Sequence, residues 1–343
     1  MLNNTTSNIS SDICFNYDRE NYRAVTILTS SVAAVSALAC ILVTLGIVLS
    51  KKYLVFTQRL ILYLSIAATL NGTAGVLRLH TVFYESDRDW QSKLCMATGF
   101  FDQVSGWWQL LAVSCITLSV LVKVVWGGSP ETVEPLFPTI IFLFPILINW
   151  IPFIHYTYGR AGAWCWIRDI NSDCSETKFG QYLRFALWYI PLYTILILLV
   201  LSFFVILCKI HSEKRRWQGR YDPDAVEEKE RMKKEIWPLL WYPAFYIFLN
   251  VFPLVNRLHG VFNPTHPILV LWILQAIFGP LQGGFVSVAY ALDSDTIRRL
   301  NCTQVLCYCY RKTPQVREYH HEIYAGPSDS LLQGKSRMES EEM

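Results

Sequence analysis

Hydrophobic and polar positions alternate on a scale of whole membrane spans, with seven apolar runs at about Val25 to Leu49, Leu60 to Phe83, Cys95 to Val125, Leu136 to Tyr156, Phe185 to Cys208, Ile236 to Leu258 and Ile268 to Leu292. Each is long enough for the roughly 20 residues that a helix needs to cross hydrocarbon. Only helices and closed barrels satisfy their backbone polar groups in lipid, and barrel strands would show alternating segments of about ten residues. The pattern therefore predicts an all-α membrane protein, a seven-transmembrane helix bundle occupying residues 24–292 as one domain. Composition agrees: the 343 residues are 52% hydrophobic and 17% charged, more apolar side chain than one soluble core can hide.

Charge sets the expected orientation. The first, third and fifth linkers and the C-terminal segment hold about 20 Lys and Arg, against about 8 on the other side, which places the N-terminus outside the plasma membrane. Residues 1–23 lack the apolar stretch of a cleaved signal peptide, so the first helix is expected to act as the insertion signal. Asn3, Asn4 and Asn8 open N-x-Ser/Thr sequons on that external segment and are glycosylation candidates. The triplets at Asn71 and Asn301 fall inside a helix and in the cytosol, out of reach of the transferase.

This topology sorts the ten cysteines. Cys14, Cys95, Cys165 and Cys174 meet the oxidising compartment. Of the three possible connectivities, Cys95 with Cys165 is favoured because it ties the fourth linker across the top of the third helix as a lid, leaving Cys14 with Cys174. In the segment after the seventh run, Asp293 or Ser294 can cap a short amphipathic eighth helix over residues 293–310. It is expected to lie on the membrane surface and to carry Cys302, Cys307 and Cys309 as palmitoylation candidates. Residues 311–343 have the composition of a disordered tail.

The fourth linker contains Gly162-Ala163-Trp164-Cys165-Trp166-Ile167, and this segment resembles the G-x-W-C-W-I of the cyclic-AMP receptor-like G-protein-coupled receptors. Val122-Lys123, Val255-Asn256-Arg257 and Lys178-Phe179-Gly180 are similar to segments at the same topological places in slime-mould chemoattractant receptors, and Gln282-Gly283-Gly284 resembles animal orphan relatives of that group. The likeness covers about Leu60 to Leu292, with weaker similarity to secretin-like receptors. The Asp/Glu-Arg-Tyr and Asn-Pro-x-x-Tyr motifs of rhodopsin-like receptors are missing from the corresponding helices. The resemblance implies a receptor that couples an extracellular small-molecule or peptide ligand to a heterotrimeric G protein, with no cofactor, no metal, no catalysis and no nucleic-acid partner.

Several residues offer physical support for a bundle that switches shape. Pro238, Pro243 and Pro253 each remove a backbone donor from helix six and are expected to make it a hinge. Helix seven carries Gly279-Pro280, and Gly279 and Gly283 have small-x-x-x-small spacing for close helix contact. At the cytoplasmic rim Lys123 and Glu235 are placed to form an ion pair between helices three and six, and the third cytoplasmic linker, with Arg215 and Arg216, is a candidate docking surface for the G protein.

Ionisable side chains inside membrane helices normally face a cavity or each other. Arg78, Asp102, Arg184 and Arg257 fall in the outer half. Asp102 is expected to pair with Arg78, leaving Arg184 and Arg257 to attract an anionic ligand between walls that include Trp107 and Trp108; most of the other rim tryptophans are assigned to the interfacial belt, with Trp164 and Trp166 either touching a ligand or anchoring the lid. Among competing classes, a retinal protein needs a lysine in helix seven, and Ile268 to Leu292 has none. A seven-helix transporter of a small anionic solute is the alternative, although no internal repeat of the kind common in transporters is visible.

Overall fold

The computed structural model describes residues 19–79, 88–128, 130–161, 164–168, 178–217, 236–262 and 268–291. Asn3, Asn4, Asn8, Cys14, Cys174, Glu235, Cys302, Cys307 and Cys309 lie outside the described residues, as do the surface helix and the tail. Six helices are long and apolar enough to cross a membrane, and a bent pair makes the seventh.

In chain order these are α1 (Arg19–Leu49), α2 (Phe56–Leu77) and α3 (Arg88–Leu121, continued by a π-helical turn Val122–Trp126). Next comes α4, in three pieces (Thr139–Leu143, Phe144–Asn149 and Ile151–Ile154), followed by α5 (Lys178–Arg184, Phe185–Tyr189 and Ile190–Trp217). The last are α6 (Trp237–Phe262) and α7, whose first limb is Leu269–Phe278 and second limb Gln282–Ala291. The apolar runs were sufficient to place all seven, because hydrocarbon thickness fixes the length of each.

Small residues bring the helices together where apolarity alone provides no drive inside lipid. Gly72 and Gly75 of α2 lie against Ala33 and Ala37 of α1, so closely that a Cβ on Gly75 would fall 2.7 Å from that of Ala33. The Ser30 hydroxyl donates to the Gly75 carbonyl at 2.8 Å, and the Thr44 and Ser65 hydroxyls meet at 3.0 Å. In α7, Gly283 rests on Ser36 and Cys40 of α1, and the Cys40 thiol reaches the Gly283 carbonyl at 3.1 Å. Gly279 does not share this role: its Cβ would meet the Gln275 carbonyl of the preceding turn. The expected Gly279/Gly283 contact stripe therefore reduces to Gly283.

Pro238 stands in the first described turn of α6. Pro243 and Pro253 lie inside a helix that runs unbroken from Trp237 to Phe262. A break falls in α7, where the limbs on either side of Gly279-Pro280 are bent by 40°.

One element was not anticipated in an all-α chain: an antiparallel hairpin, β1 (Tyr158–Ala161) with β2 (Trp164–Ile167), in which Arg160 pairs with Cys165. An isolated two-stranded hairpin is marginal in water, and this one is held by its surroundings. Tyr158 is 1% exposed and donates to the Asn149 carbonyl at 3.0 Å, and burial pushes its hydroxyl pKa upward. Phe100 and Phe153 pack on its ring at 6.1 and 4.9 Å between centroids.

Gly72→Ala should lower the melting temperature of the detergent-solubilised protein, because its new Cβ would lie 2.8 Å from the Ala37 Cβ and 2.9 Å from the Ala33 backbone oxygen. Overpacking of this kind costs about 1–3 kcal/mol; a thermal scan with an unchanged or raised midpoint would contradict the α1–α2 packing.

Candidate ligand-binding site

The site is built downward from a covalent tether. Cys95, near the start of α3, is bonded to Cys165 in β2, with Cα atoms 5.2 Å apart and a sequence separation of 70. A loop of that length is constrained by about 4 kcal/mol on chain-entropy grounds. One turn further along α3, Gly99 allows the hairpin backbone to approach: a Cβ there would lie 3.1 Å from the Cys165 carbonyl carbon and the Trp166 nitrogen.

That approach drives Trp166 into the bundle. Its indole is 4% exposed and its N–H donates to Oε1 of Gln103 on α3. The Gln103 amide is oriented from its other end, where Nε2 donates to the Leu187 carbonyl of α5 at 3.5 Å. Two guanidinium groups lie over the Trp166 ring, Arg184 of α5 at 4.9 Å and Arg257 of α6 at 5.1 Å from the centroid. Each such cation–π contact is worth about 0.5–2 kcal/mol, the larger value when desolvated. Arg184 also donates to the Ile167 carbonyl at 2.7 Å. A single buried side chain thus joins the hairpin to α3, α5 and α6.

Beneath Trp166 is a cavity of about 180 Å³, lined from every helix except α4. Arg78 and Asp102 form the expected ion pair on its wall, Nη2 to Oδ1. Arg257 also lines it, so the ionisable groups of the lining are two arginines and one aspartate, a surplus of one positive charge among the described residues. Among the described residues Tyr193 contributes a hydroxyl with no hydrogen-bond partner, and Gln103, Gln109, Asn250 and Gln275 contribute amides. Gln275 of α7 accepts from Asn256 of α6 at 2.5 Å, which ties those helices together beside the cavity.

Three of the expected ligand contacts are differently placed. Trp107 and Trp108 are buried and do not line the cavity, whose indoles are Trp166, Trp188 and Trp272. The physical reason is hydrogen bonding: Trp107 donates to the Leu187 carbonyl at 3.1 Å and Trp108 to the Phe142 carbonyl at 3.0 Å. Both acceptors lie in π-helical turns, Phe185–Tyr189 and Thr139–Leu143, where the extra residue in the turn disturbs the regular carbonyl ladder. Arg184 likewise stays behind Trp166 and outside the cavity lining.

At the opposite end of the bundle Lys123 stands over the Phe56 ring at 5.6 Å, and its expected partner is outside the described residues. Arg215 is exposed near the end of α5, Arg216 follows it, and Pro243 is buried in α6. An ion pair that sequence reasoning missed lies here: Arg59 of α2 holds Glu134, 8% exposed, in the turn Glu134–Leu136 before α4. Arg59 also donates to the Leu54 carbonyl at 2.8 Å. The available signal was an acid set directly among Val133, Pro135 and Leu136.

Two comparisons bear on what such a bundle does. A family model described as the C-terminal part of a G protein-coupled glucose receptor regulating Gpa2 matches residues 226–299, the region of α6 and α7. G-protein coupled receptor 1 of Arabidopsis thaliana is 24% identical over 174 residues, half of this chain and half of that protein. The chain therefore spans about half the length of the curated relative it matches. Both matches support a G-protein-coupled-receptor-like family, and with the apolar helices they mark a multi-pass membrane protein.

Trp166→Phe should retain the ring but orphan Gln103 Oε1, at a cost of about 1–3 kcal/mol. Adding Gln103→Leu should recover much of the lost melting temperature; a double variant no more stable than Trp166→Phe alone would contradict the Trp166–Gln103 bond.

Proposed function

We propose that this chain is a plasma-membrane receptor of the cyclic-AMP-receptor-like group, with its N-terminus outside. In this reading a small ligand enters the cavity below the hairpin and the bundle passes the signal to a heterotrimeric G protein. The observation that carries this reading is the partly open, net-positive cavity, with mixed polar and apolar walls, under a disulfide-tethered hairpin. Its volume of about 180 Å³ suits a small molecule better than a peptide. The surplus positive charge favours a carboxylate or phosphate, with Arg257 as its partner and the Tyr193 hydroxyl beside it. The amide and indole lining is also chemistry for a neutral sugar, and the family description that names a glucose receptor puts glucose on any ligand panel.

Movement of α6 follows from the same geometry. Arg257 is on α6 and rests on Trp166, so a ligand that draws the guanidinium into the cavity loosens the one contact between α6 and Trp166 described above. Pro243 and Pro253 lower the cost of bending the helix that must then move. Lys123, Pro238, Arg215 and Arg216 belong to the end where the G protein would dock. The external sequons at Asn3, Asn4 and Asn8, the second bridge Cys14–Cys174 and the lipidated eighth helix complete the proposed receptor.

A transporter of a small anionic solute is the second reading, and the broken α7 favours it, since interrupted helices beside a central cavity also serve transport. A G-protein dissociation screen in cells, with carboxylates, phosphates, cyclic AMP and glucose as the panel, separates the two. The receptor reading expects activation by an anion, with potency reduced about tenfold or more in Arg257→Ala, the equivalent of one charge-assisted hydrogen bond. It also expects the response to be lost in Cys165→Ser at equal surface expression. Activation that survives Arg257→Ala would remove the anionic pocket; solute flux without activation would favour the transporter.

A further inference from the structure

The seam between α3 and α5 is closed by one indole. Trp188 reaches from α5 to the α3 backbone, where a Cβ added at Gly106 would fall 2.8 Å from Cη2 and 3.4 Å from Cζ3 of its ring. A glycine is what lets the six-membered ring end there, so the side chain spans the gap between the two helices. Trp188 and Gly106 both line the large cavity. Of the three indoles in that lining, Trp166 and Trp272 are buried and Trp188 is half-buried, so it offers the most ring surface. The wall is also held in place. Trp107 meets the Trp188 ring edge-on at 6.1 Å between centroids, and its own N–H donates to the Leu187 carbonyl at 3.1 Å. Gln103 donates to the same carbonyl at 3.5 Å. Pro191, four residues beyond Leu187, has no N–H to offer it in return, so α3 takes up an acceptor that a regular helix would use internally. Leu187 is thus pinned to α3 by its backbone and Trp188 by its ring.

Volume then says what such a wall admits. Sites for drug-sized ligands measure about 300–1,000 Å³, and an engineered cavity of about 150 Å³ holds benzene. The cavity here, at about 180 Å³, stands just above the second figure. It has room for one ring carrying a charged group, and a nucleotide would have to displace a wall. We infer that Trp188 sets the size limit of the cavity and that the ligand it admits is a small acid of about benzoate size. The acidic group rests on the proposed reading of Arg257 and Tyr193 as its partners; the size limit rests on Trp188 and Gly106.

Thiol labelling of the full chain in lipid nanodiscs tests both parts without an agonist response or a G protein. Asn250 lines the cavity from α6, and its amide donates to the Tyr246 carbonyl of its own helix at 2.8 Å, so Asn250→Cys is a mild probe position. Methyl and naphthylmethyl methanethiosulfonates are compared by mass spectrometry of the peptide containing residue 250, with the exposed thiol of Cys208 correcting for intrinsic reactivity. With Trp188 in place the naphthyl reagent should be at least about tenfold slower, as expected from overpacking by one ring. That handicap should disappear in Trp188→Ala and shrink several-fold in Trp188→Phe, whose ring is too short to reach Gly106. Equal corrected rates in the presence of Trp188, no labelling of residue 250 by either reagent, or an undiminished handicap in a folded Trp188 variant would overturn the size limit; Trp188→Phe decides if Trp188→Ala does not fold. Benzoate should protect residue 250 from the methyl reagent several times better than benzamide. Equal protection, or none, would overturn the acid, and with it the anionic pocket, and leave the size limit standing. A size limit found beside a silent G-protein screen would remove the receptor reading and keep the role of Trp188.

Discussion

The attachment of β2 to α3 is the constraint on which the rest of the hairpin end depends. The Cys95–Cys165 bond brings the strand to the helix, and Gly99 lets the two backbones touch. Trp166, the next residue, then has one direction left, into the bundle. There its N–H finds Gln103, and its ring receives Arg184 and Arg257. Without the tether, a four-residue strand pair would have to hold this arrangement by its own ladder and a few aromatic contacts. With it, a buried indole becomes the common roof of α3, α5 and α6, and the cavity below acquires fixed walls.

The wall opposite is organised by close packing of small residues. Gly72 and Gly75 draw α2 onto α1, and Gly283 draws the second limb of α7 onto the same helix. These contacts hold α1, α2 and that limb together, while the first limb is hydrogen-bonded to α6 through Asn256 and Gln275 and the second meets α6 through the Phe245 and Phe285 rings. Both limbs pack against α1 and α6, so the bend at Gly279-Pro280 lies within the packed bundle, beside the large cavity that Gly279 and Pro280 help to line.

How much of this could be read from the chain depends on whether a local rule decided it. Membrane thickness made seven spans legible, and opposite charges at one depth made Arg78 with Asp102 legible. The role of Trp166 was not, because the W-C-W-I segment marks a lid but contains nothing about Gln103 lying beneath it. Trp107 and Trp108 looked like cavity walls until the π-helical turns of α4 and α5 offered their indoles carbonyl acceptors. The hairpin was hidden by its length: four residues on each side are too few to show a period of two against an apolar background.

Function rests on the cavity acting as an input and not as a passage. The most direct measurement places the purified chain in vesicles with a heterotrimeric G protein and follows guanine-nucleotide exchange and solute accumulation together, across small carboxylates, phosphates and glucose. The account predicts that a small anion accelerates exchange while none accumulates in the lumen. Accumulation of the solute, with no exchange on any G-protein subtype, would contradict it.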